Sequence, residues 1–265
     1  MNECFRFSRR QAFLTEVFLD AADANYTFLL NSIEVEIAHA RSRELVSLHH
    51  ATRSRLRFEQ FVLRFTAGRS IPSLRAELPR VIEAFEHYVQ ALAMQEGVPC
   101  MAPLGFDDLH EYERALQLVS LCYLLHRRDL LPRLRGLLDP AYAGEDTVYE
   151  DLMSFDVAGR ADVDQWYHAE PYTALVNAMY LERPGANAAL KNYCVSWYAC
   201  FERAPWHGSH TRIEGTEGDY FGYWAFEAGA VALLYDLDDS AIDDMVYPRD
   251  LVAWARKNRI LSEGM

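Results

Sequence analysis

The amino-acid sequence predicts an all-α protein of roughly ten helices in mostly antiparallel packing, with an N-terminal and a C-terminal helical portion. Its apolar residues recur at intervals of three and four, which is the spacing of one helix face. No stretch alternates apolar and polar residues for the length of a strand. Proline and glycine fall mainly between the periodic segments, and such short connections are typical of antiparallel helices.

Helix signals divide the first half of the chain. From Arg9 to about residue 67 there is neither proline nor glycine, which predicts two long helices. Gly68 is placed to end the second of them. Ser70 with Pro72 predicts the start of a third helix, which runs to about Glu96.

The middle of the chain contains a further start signal and a candidate boundary. Asp108, followed three residues later by Glu111, predicts the cap of a fourth helix that ends near residue 126, and a short helix follows at 129–138. Proline, glycine and small residues concentrate at 139–144. We predict a boundary there, between an N-terminal domain at 1–140 and a C-terminal domain at 141–265. Helical spacing then predicts helices at about 145–155, 163–181 and 186–203.

The stretch from Tyr220 to Tyr235 is almost entirely apolar, with Glu227 as its one charged residue. It is too short and too polar for a bilayer span, which needs about 20 apolar residues. Thr216 with Asp219 predicts that a helix begins near residue 217. Small and aromatic residues form two stripes along it, which predicts a helix at the centre of the packing. The small stripe consists of Gly222, Ala225, Gly229 and Ala232.

Five aspartates follow that stretch within nine residues, with no Lys or Arg between them. Such a run predicts an exposed anionic loop, although aspartates also serve routinely as turn and cap residues. The five are Asp236, Asp238, Asp239, Asp243 and Asp244.

Charge is distributed unevenly along the chain, whose net charge is −13. Residues 1–80 contain 12 Lys and Arg against 9 Asp and Glu, whereas residues 136–250 contain 6 against 21. The acid excess disfavours nucleic acid as a ligand, because nucleic-acid affinity comes largely from cations that neutralise phosphates. It favours a basic protein partner, although acidic proteins are common.

One predicted helix of the N-terminal half is locally basic, because it carries four arginines. An anion-binding surface is one interpretation of this helix, and a solvated or ion-pairing face is the favoured one. The arginines are Arg53, Arg55, Arg57 and Arg64.

The sequence GDYFGYWAFEAGAVALLYDLDDS, followed by YPRDLVAWAR at 247–256, resembles the C-terminal domain of the PoNi family. The segment FVLRFTAGRSIPSL, residues 61–74, is similar to the family's N-terminal pattern, with Phe65 and Thr66 in place of Tyr and Ser. The residues that carry the C-terminal likeness are Gly222, Tyr223, Trp224, Phe226 and Glu227, the turn Asp238, Asp239 and Ser240, and the helix start Tyr247, Pro248, Asp250 and Leu251.

PoNi proteins are immunity proteins that pair with PoNe-type DNase toxins of bacterial type VI secretion and polymorphic toxin systems. The resemblance therefore implies a non-enzymatic inhibitor that neutralises a cognate DNase in the cytoplasm by covering its active site or its DNA-binding face. Carboxylates that stand in for DNA phosphates would suit such a partner. The predicted partner-binding set is Glu214, Glu217, Asp236, Asp238, Asp239, Asp243 and Asp244.

The residue patterns predict no catalytic group, no metal and no cofactor. His207, His210 and Glu214 lie close in sequence, but their spacing is not that of a zinc helix. Neither a GxxxxGK[ST] phosphate loop nor an HExxH helix occurs. Glu83 and Glu86 have the ExxE spacing of helical nucleotide pyrophosphatases, yet no matching acidic pair is evident, so an exposed helix face explains them better.

Glu227 requires its own interpretation, because a carboxylate in an apolar helix must be paired, hydrogen-bonded or protonated. A structural acid that accepts hydrogen bonds from Tyr or Trp, or pairs with an Arg, is favoured over a catalytic acid. Trp166, Trp197, Trp206 and the tyrosines are the candidate donors.

The remaining expectations concern redox state, location and alternative functions. Scattered cysteines in odd number predict reduced, buried thiols, and the absence of a secretory apolar run near the N-terminus predicts a cytoplasmic protein. Two other functions stay open, namely a helical adaptor for another basic partner and an all-α small-molecule hydrolase. The sequence does not indicate the oligomeric state. The cysteines are Cys4, Cys100, Cys122, Cys194 and Cys200.

Overall fold

The computed structural model of the protein describes residues 3–99 and 101–259. Over these residues the fold is all-α, as the sequence predicts, with eleven α-helices, two 3-10 helices and no sheet. The α-helices are α1 (Glu3–Ser8), α2 (Glu16–His39), α3 (Arg43–Thr66), α4 (Ile71–Glu96), α5 (Leu109–Leu124), α6 (Leu131–Tyr142), α7 (Thr147–Ser154), α8 (Tyr172–Tyr180), α9 (Arg183–Cys200), α10 (Phe226–Leu234) and α11 (Arg249–Lys257); the 3-10 helices are Arg128–Leu130 and Ser209–Arg212.

The helices belong to two compact units. The first unit comprises the described residues within Met1–Pro103 and Pro205–Gly222, and thus α1 to α4. The second comprises those within Leu104–Ala204 and Tyr223–Met265, and thus α5 to α11. This division is a different one from the domain boundary predicted at 140/141, which stays a prediction.

In the first unit, α3 packs against both α2 and α4. Thr15 and Ser42 begin α2 and α3, because their side chains accept hydrogen bonds from backbone N–H groups of the first turn. The predicted apolar stripe of α4 faces the core, and its residues Leu74, Leu78, Ile82 and Phe85 are buried.

Gly68 follows α3 in the predicted position, and the structure shows a second reason for glycine there. Its φ of 86° lies in the left-handed region. A Cβ atom at this position would lie 1.9 Å from the carbonyl oxygen of Ser8. Glycine therefore both ends the helix and admits the N-terminal segment, whose Arg10 N–H donates to the Thr66 carbonyl at 2.7 Å.

Residues 205–222 complete the first unit although they come late in the sequence. The Tyr220 hydroxyl donates to the Gln11 side chain, and the Tyr220 ring meets the Phe13 ring edge to face. The Thr66 hydroxyl donates to the Phe221 carbonyl at 2.6 Å. These buried contacts anchor the segment to the elements before α2 and at the end of α3.

In the second unit, α5 is the central helix. Every residue from Tyr112 to Leu124 is buried, and α5 contacts α6, α7, α10 and α11. Asp108 caps it as predicted, by accepting hydrogen bonds from the backbone of His110 and Glu111. Helices α8 and α9 pack against each other, and α10 contacts both.

The predicted helix at 217–235 is too long by nine residues, because α10 begins at Phe226. Gly222 has a φ of 128°, far from helical values, and Ala225 N–H donates to the Val246 carbonyl rather than to a preceding turn. The Trp224 carbonyl accepts from Gln117 at 2.6 Å. The sequence pattern assigns this backbone to a helix, but its N–H and C=O groups form hydrogen bonds with residues far away in the chain instead. Burial is as predicted, since Trp224, Phe226 and most of α10 are inaccessible.

The start predicted for that helix is wrong in its details too. Asp219 accepts two hydrogen bonds from the Arg212 guanidinium, at 3.0 and 2.6 Å, instead of capping a helix. By contrast, Gly229 of the small stripe does lie against a neighbouring helix. A Cβ there would lie 2.9 Å from Pro248 and 3.0 Å from Val252, so the small residue lets α10 approach α11.

The predicted helix at 163–181 is shorter than expected, because α8 begins only at Tyr172. Pro171 precedes it and disfavours helical backbone at the residue before it. Residues 157–171 instead form a long connection without regular structure. The other predicted helices are present with ends displaced by a few residues, and α1 was not predicted.

The described cysteines are free thiols, and the predicted burial holds for two of these three. Cys122 and Cys194 are buried, and Cys200 is half-buried. The side chains of Cys4 and Cys100 lie outside the described part of the structure. Among the helices that the structure describes, none is long and apolar enough to cross a membrane.

Candidate partner-binding surface

The acidic segment, residues 236–244, connects α10 to α11 in the second unit. Leu237 and Ile242 are buried and fix it to the core, as does Val246 just after it. Asp236, Asp238 and Asp243 are exposed between these anchors, and Asp239 and Asp244 are half-buried. The segment is therefore an anchored loop whose carboxylates differ in access to solvent, partly as predicted.

Two of the predicted partner-binding acids already have basic neighbours. Asp236 lies 3.2 Å from the Arg259 guanidinium and 3.7 Å from that of Arg183. The hydrogen bond from Arg259 lowers the pKa of Asp236. Asp239 accepts from Arg256 and from the Tyr247 hydroxyl, each at 2.6 Å. Asp239 therefore joins the segment to α11 and is structural, whereas Asp236 stays accessible.

The other three aspartates have local roles or none. Asp238 accepts from Ser240 N–H, and the Ser240 hydroxyl and N–H together lower the pKa of Asp238. Asp244 accepts from Val246 N–H at 3.1 Å. Asp243 is exposed, and its carboxylate forms no hydrogen bond or ion pair with the residues that the structure covers. Asp243 is thus the predicted acid most available to a partner.

Glu214 and Glu217 lie in the first unit, unlike the five aspartates. They pair with each other through two backbone hydrogen bonds of 3.0 Å around a tight turn, and both side chains are exposed. The seven acids predicted as one binding set therefore belong to two different units, two in the first and five in the second.

A surface that the sequence did not reveal lies in the second unit, where α7, α8 and α10 end. Phe155, Tyr180 and Tyr235 each follow or close one of these helices. The Phe155 and Tyr235 rings meet edge to face, with centroids 5.2 Å apart, and Tyr180 is 59% exposed. We call these aromatics, with the three aspartates described next, the acid–aromatic patch.

Three aspartates lie close enough to the aromatic side chains of the patch to affect the pKa of Tyr180. Burial and a hydrogen bond to Asp151 raise the pKa of Tyr180, and the charges of Asp162 and Asp164 act in the same direction. Burial also raises the pKa of Asp151, whose Oδ2 atom has no hydrogen-bond partner within the ranges that the structure describes. The carbonyl ends of the helices add negative potential at the same place. The patch therefore presents apolar rings within an anionic rim.

Sequence reasoning missed this patch because its parts lie far apart in the chain. Phe155, Tyr180 and Tyr235 have no common spacing, and each ends a different helix. The only signal available was the acid-rich run around 156–164, which the incorrect helix at 163–181 obscured.

The long connection that carries Asp162 and Asp164 is held by a buried ion-pair network. The Arg160 guanidinium donates to both oxygens of Asp139 at 2.8 Å, and to those of Glu150 at 2.5 and 2.8 Å. Burial acts to raise the pKa of Asp139, but the bonds from Arg160 and Tyr149 outweigh it and lower that pKa. Glu150 also accepts from Gly144 N–H and Ala161 N–H. The network ties the Arg160–Ala161 part of the connection to α6 and α7.

Glu227 is completely buried in the second unit, and its hydrogen bonds confirm the predicted structural donors. Its Oε1 accepts from the Tyr193 hydroxyl at 2.6 Å and from Trp197 Nε1 at 2.8 Å. Its Oε2 has no hydrogen-bond partner in the described part of the chain. Burial, with the nearby charge of Glu113, raises the pKa of Glu227 to about 8. The carboxyl group is therefore protonated at neutral pH and has no access to solvent.

The histidines of the 205–222 segment show no metal-binding arrangement. His210 stacks on Phe13 with ring centroids 4.3 Å apart, and His207 lies beside Trp206. Within the described ranges, no group of three or more His, Cys, Asp or Glu side chains is placed to hold a metal ion.

Comparisons with known proteins agree with this architecture. The chain is similar to the crystal structure of protein PA2201 from Pseudomonas aeruginosa, with a TM-score of 0.75 and 18% identity over 97% of this chain and 96% of the other. At that identity the likeness shows a shared fold. No curated protein matched the sequence.

A family comparison addresses the second half of the chain. Residues 144–251 match the family described as PoNe immunity proteins (PoNi), C-terminal. The match begins close to the predicted boundary at 140/141. It includes α7 to α10, the acidic segment and all residues of the acid–aromatic patch. The resemblance noted in the sequence is therefore confirmed, and residues 144–251 are the part of the chain that matches the C-terminal family of the PoNe immunity proteins.

Proposed function

We propose that the protein is an immunity protein that binds a cognate bacterial DNase toxin of the PoNe type in the cytoplasm and neutralises it. The observation that carries this proposal is the family match over residues 144–251. The inhibitor acts by occupying the active site or the DNA-binding face of the toxin, and it performs no chemistry of its own.

The surface of the second unit supports this role. A nuclease face that binds DNA is rich in Lys and Arg, so an acidic surface complements it. Interface residues that contribute most to affinity are commonly aromatic side chains in a desolvated centre, surrounded by a polar rim. The acid–aromatic patch has this composition, and Asp236 and Asp243 add accessible carboxylates in the same unit.

The buried acid gives no support to a hydrolase. Glu227 has no solvent-accessible surface, so a substrate has no route to its carboxyl group in this structure. Its hydrogen bonds to Tyr193 and Trp197 are those of a structural acid in a core. A protein adaptor has no observation of its own in its favour.

The test uses the full chain and the nuclease encoded beside its gene. The two proteins are co-expressed for copurification, and the purified nuclease is titrated with the chain in a DNA-cleavage assay. We expect a stable complex and loss of cleavage at a one-to-one ratio. A nuclease that stays fully active in excess of the chain would contradict the proposal, and an unrelated basic nuclease serves as the specificity control.

A further inference from the structure

A second polar site lies in the first unit, among α2, α3 and α4. A cavity of about 220 Å³ is lined there by side chains of all three helices. Those on α3 are four residues apart, and those on α4 are spaced by three and four, so each set shares one helix face. We call it the arginine cavity; its polar lining is Glu34, Arg53, Arg57, Arg80, Glu83 and His87.

Arg53 is a buried arginine of this cavity, and most of its N–H donors are unused. Its side chain is 10% exposed. Both oxygens of Glu34 accept from the same nitrogen, Nη1, at 3.0 and 3.1 Å. The other two nitrogens, Nε and Nη2, are buried and have no hydrogen-bond partner among the described residues. Buried donors without acceptors are costly, and the Nε–Nη2 edge is a face that guanidinium groups offer to oxyanions.

Arg57 and Arg80 contribute positive charge that nothing in the described structure neutralises directly. Neither side chain forms a hydrogen bond or an ion pair with any residue described. Burial lowers the pKa of Arg57. The positive charges of Arg53, Arg64 and Arg80 lower it further, whereas the negative charge of Glu34 acts to raise it. Three guanidinium groups thus share a cavity with two carboxylates, one of which is committed to Arg53.

The histidines beside the cavity lie in the same excess of positive charge. His50 and His87 have ring centroids 6.0 Å apart, and Nδ1 of His50 is buried without a partner. Burial, Arg53 and His87 lower the pKa of His50 to about 4. Burial is the largest cause of this shift, and the positive charges of Arg53 and His87 add to it.

The larger cavity of the same unit differs in this respect. It has a volume of about 760 Å³ and is lined by α2 residues and by Arg64 and Arg69. Arg64 donates to Asp23 and Glu77, and Arg69 lies 3.5 Å from Glu77. Its arginines form ion pairs within the protein, whereas Arg57 and Arg80 of the arginine cavity form none with the residues that the structure describes.

We propose that the arginine cavity binds a small oxyanion of the phosphate class, either free or as a phosphomonoester whose remainder extends into solvent. The planar fork of arginine matches two oxygens of such a group. The cavity is smaller than the roughly 300 Å³ at which sites for drug-sized molecules begin, so it suits a single anionic group. This site is independent of the proposed toxin partner.

The test is calorimetric titration of the full chain with inorganic phosphate and, separately, with phenyl phosphate. Sodium chloride at matched ionic strength controls for charge screening. We expect saturable binding with one site, weakened about tenfold or more in Arg57→Gln/Arg80→Gln, because each removes a charge-assisted hydrogen bond. The matched control, Arg41→Gln/Arg249→Gln, removes two exposed arginines elsewhere and should bind as the wild type does.

The two titrants distinguish the source of the anion, since tighter binding of phenyl phosphate indicates a phosphomonoester and equal binding indicates the free ion. Circular dichroism establishes that the variants fold. As a measurement on the wild type alone, the arginine Nε–H resonances of a ¹⁵N-labelled sample should shift with phosphate. The proposal would be overturned if chloride produced the same heat and the same resonance shifts as phosphate. Equal phosphate binding by the cavity variant and the control variant would also overturn it.

Discussion

Glu227 shows how burial decides the protonation of a single side chain. Two donors, Tyr193 and Trp197, serve one carboxyl oxygen, and the other has no partner. The pKa of about 8 follows mainly from desolvation and then from the charge of Glu113. The sequence could predict that this acid needs polar partners, but it could not choose among the many aromatic donors, because that choice depends on how α9 packs on α10.

The Glu227→Gln variant should change the pH dependence of stability. Between the unfolded pKa of 4.5 and the folded pKa of about 8, the native protein keeps a proton that the unfolded chain releases. Stability of the wild type therefore falls as pH rises through this window, by at most about 1.4 kcal/mol per pH unit from this group. Gln removes that contribution, so urea unfolding at pH 5 and pH 8 should show the variant gaining relative to the wild type as pH rises.

Activity provides the second readout for this variant. Under the proposed function, Glu227→Gln should inhibit the cognate nuclease to the same extent as the wild type, because the side chain is buried and serves the core. A folded variant that has lost an activity measurable with the purified protein alone would contradict that assignment and favour a catalytic acid. If the variant instead gained stability relative to the wild type as the pH fell from 8 to 5, the raised pKa of Glu227 would be contradicted.

At the scale of elements, the close packing of α10 on α11 depends on the small residue Gly229. Gly229→Leu should destabilise the protein by about 1 to 3 kcal/mol or more, because even a Cβ would meet Pro248 at 2.9 Å and Val252 at 3.0 Å. Thermal unfolding measures the loss. Gly136→Leu is the matched control, since that helical glycine has open space at its Cβ position and should be unaffected or slightly stabilised.

The connection between α7 and α8 depends on the buried arginine network. Arg160→Met should cost about 3 to 5 kcal/mol, because it leaves the buried Glu150 without its guanidinium partner and removes the buried one of the two that Asp139 has. Arg135→Gln removes an exposed partner of the same Asp139 and should cost less than about 1 kcal/mol. Equal losses in the two variants, measured by urea unfolding, would show that the network does not hold the connection.

The elements also show where sequence reasoning stops. Spacing and caps located most helices, because Asp108 and Gly68 act through their own backbone neighbourhoods. The same spacing failed at 220–225, where the backbone bonds to Gln117, Thr66 and Val246, residues far away in the chain. The acid–aromatic patch was missed for the same reason, since long-range packing alone brings three helix ends together.

At the scale of the whole molecule, the proposed function predicts two separable kinetic effects on toxin binding. Asp243→Lys/Asp244→Lys should slow association and make its rate less sensitive to salt, because exposed charges act mainly on encounter. Phe155→Ala/Tyr180→Ala should instead speed dissociation, by about tenfold or more, because aromatic anchors act on the bound state. Surface plasmon resonance at two salt concentrations measures both.

Matched variants separate these effects from general changes. Asp20→Lys/Glu96→Lys alters net charge equally in the first unit, and Val195→Ala removes an exposed apolar side chain from α9, outside the patch. Both should bind as the wild type does. If both the aspartate and the aromatic variants bound with wild-type kinetics, the interface would lie elsewhere. The immunity function itself is tested by the cleavage assay.

The late position of residues 205–222 in the sequence has a consequence for how the chain folds as it is made. The first unit needs the Tyr220 and Phe221 contacts with Gln11 and Thr66, yet the ribosome synthesises α5 to α9 before that segment emerges. Domains usually fold in the order of their synthesis. Here the N-terminal helices have to wait, with part of their core uncovered, until most of the polypeptide exists, and a nascent chain released early would be a substrate for chaperones and proteases.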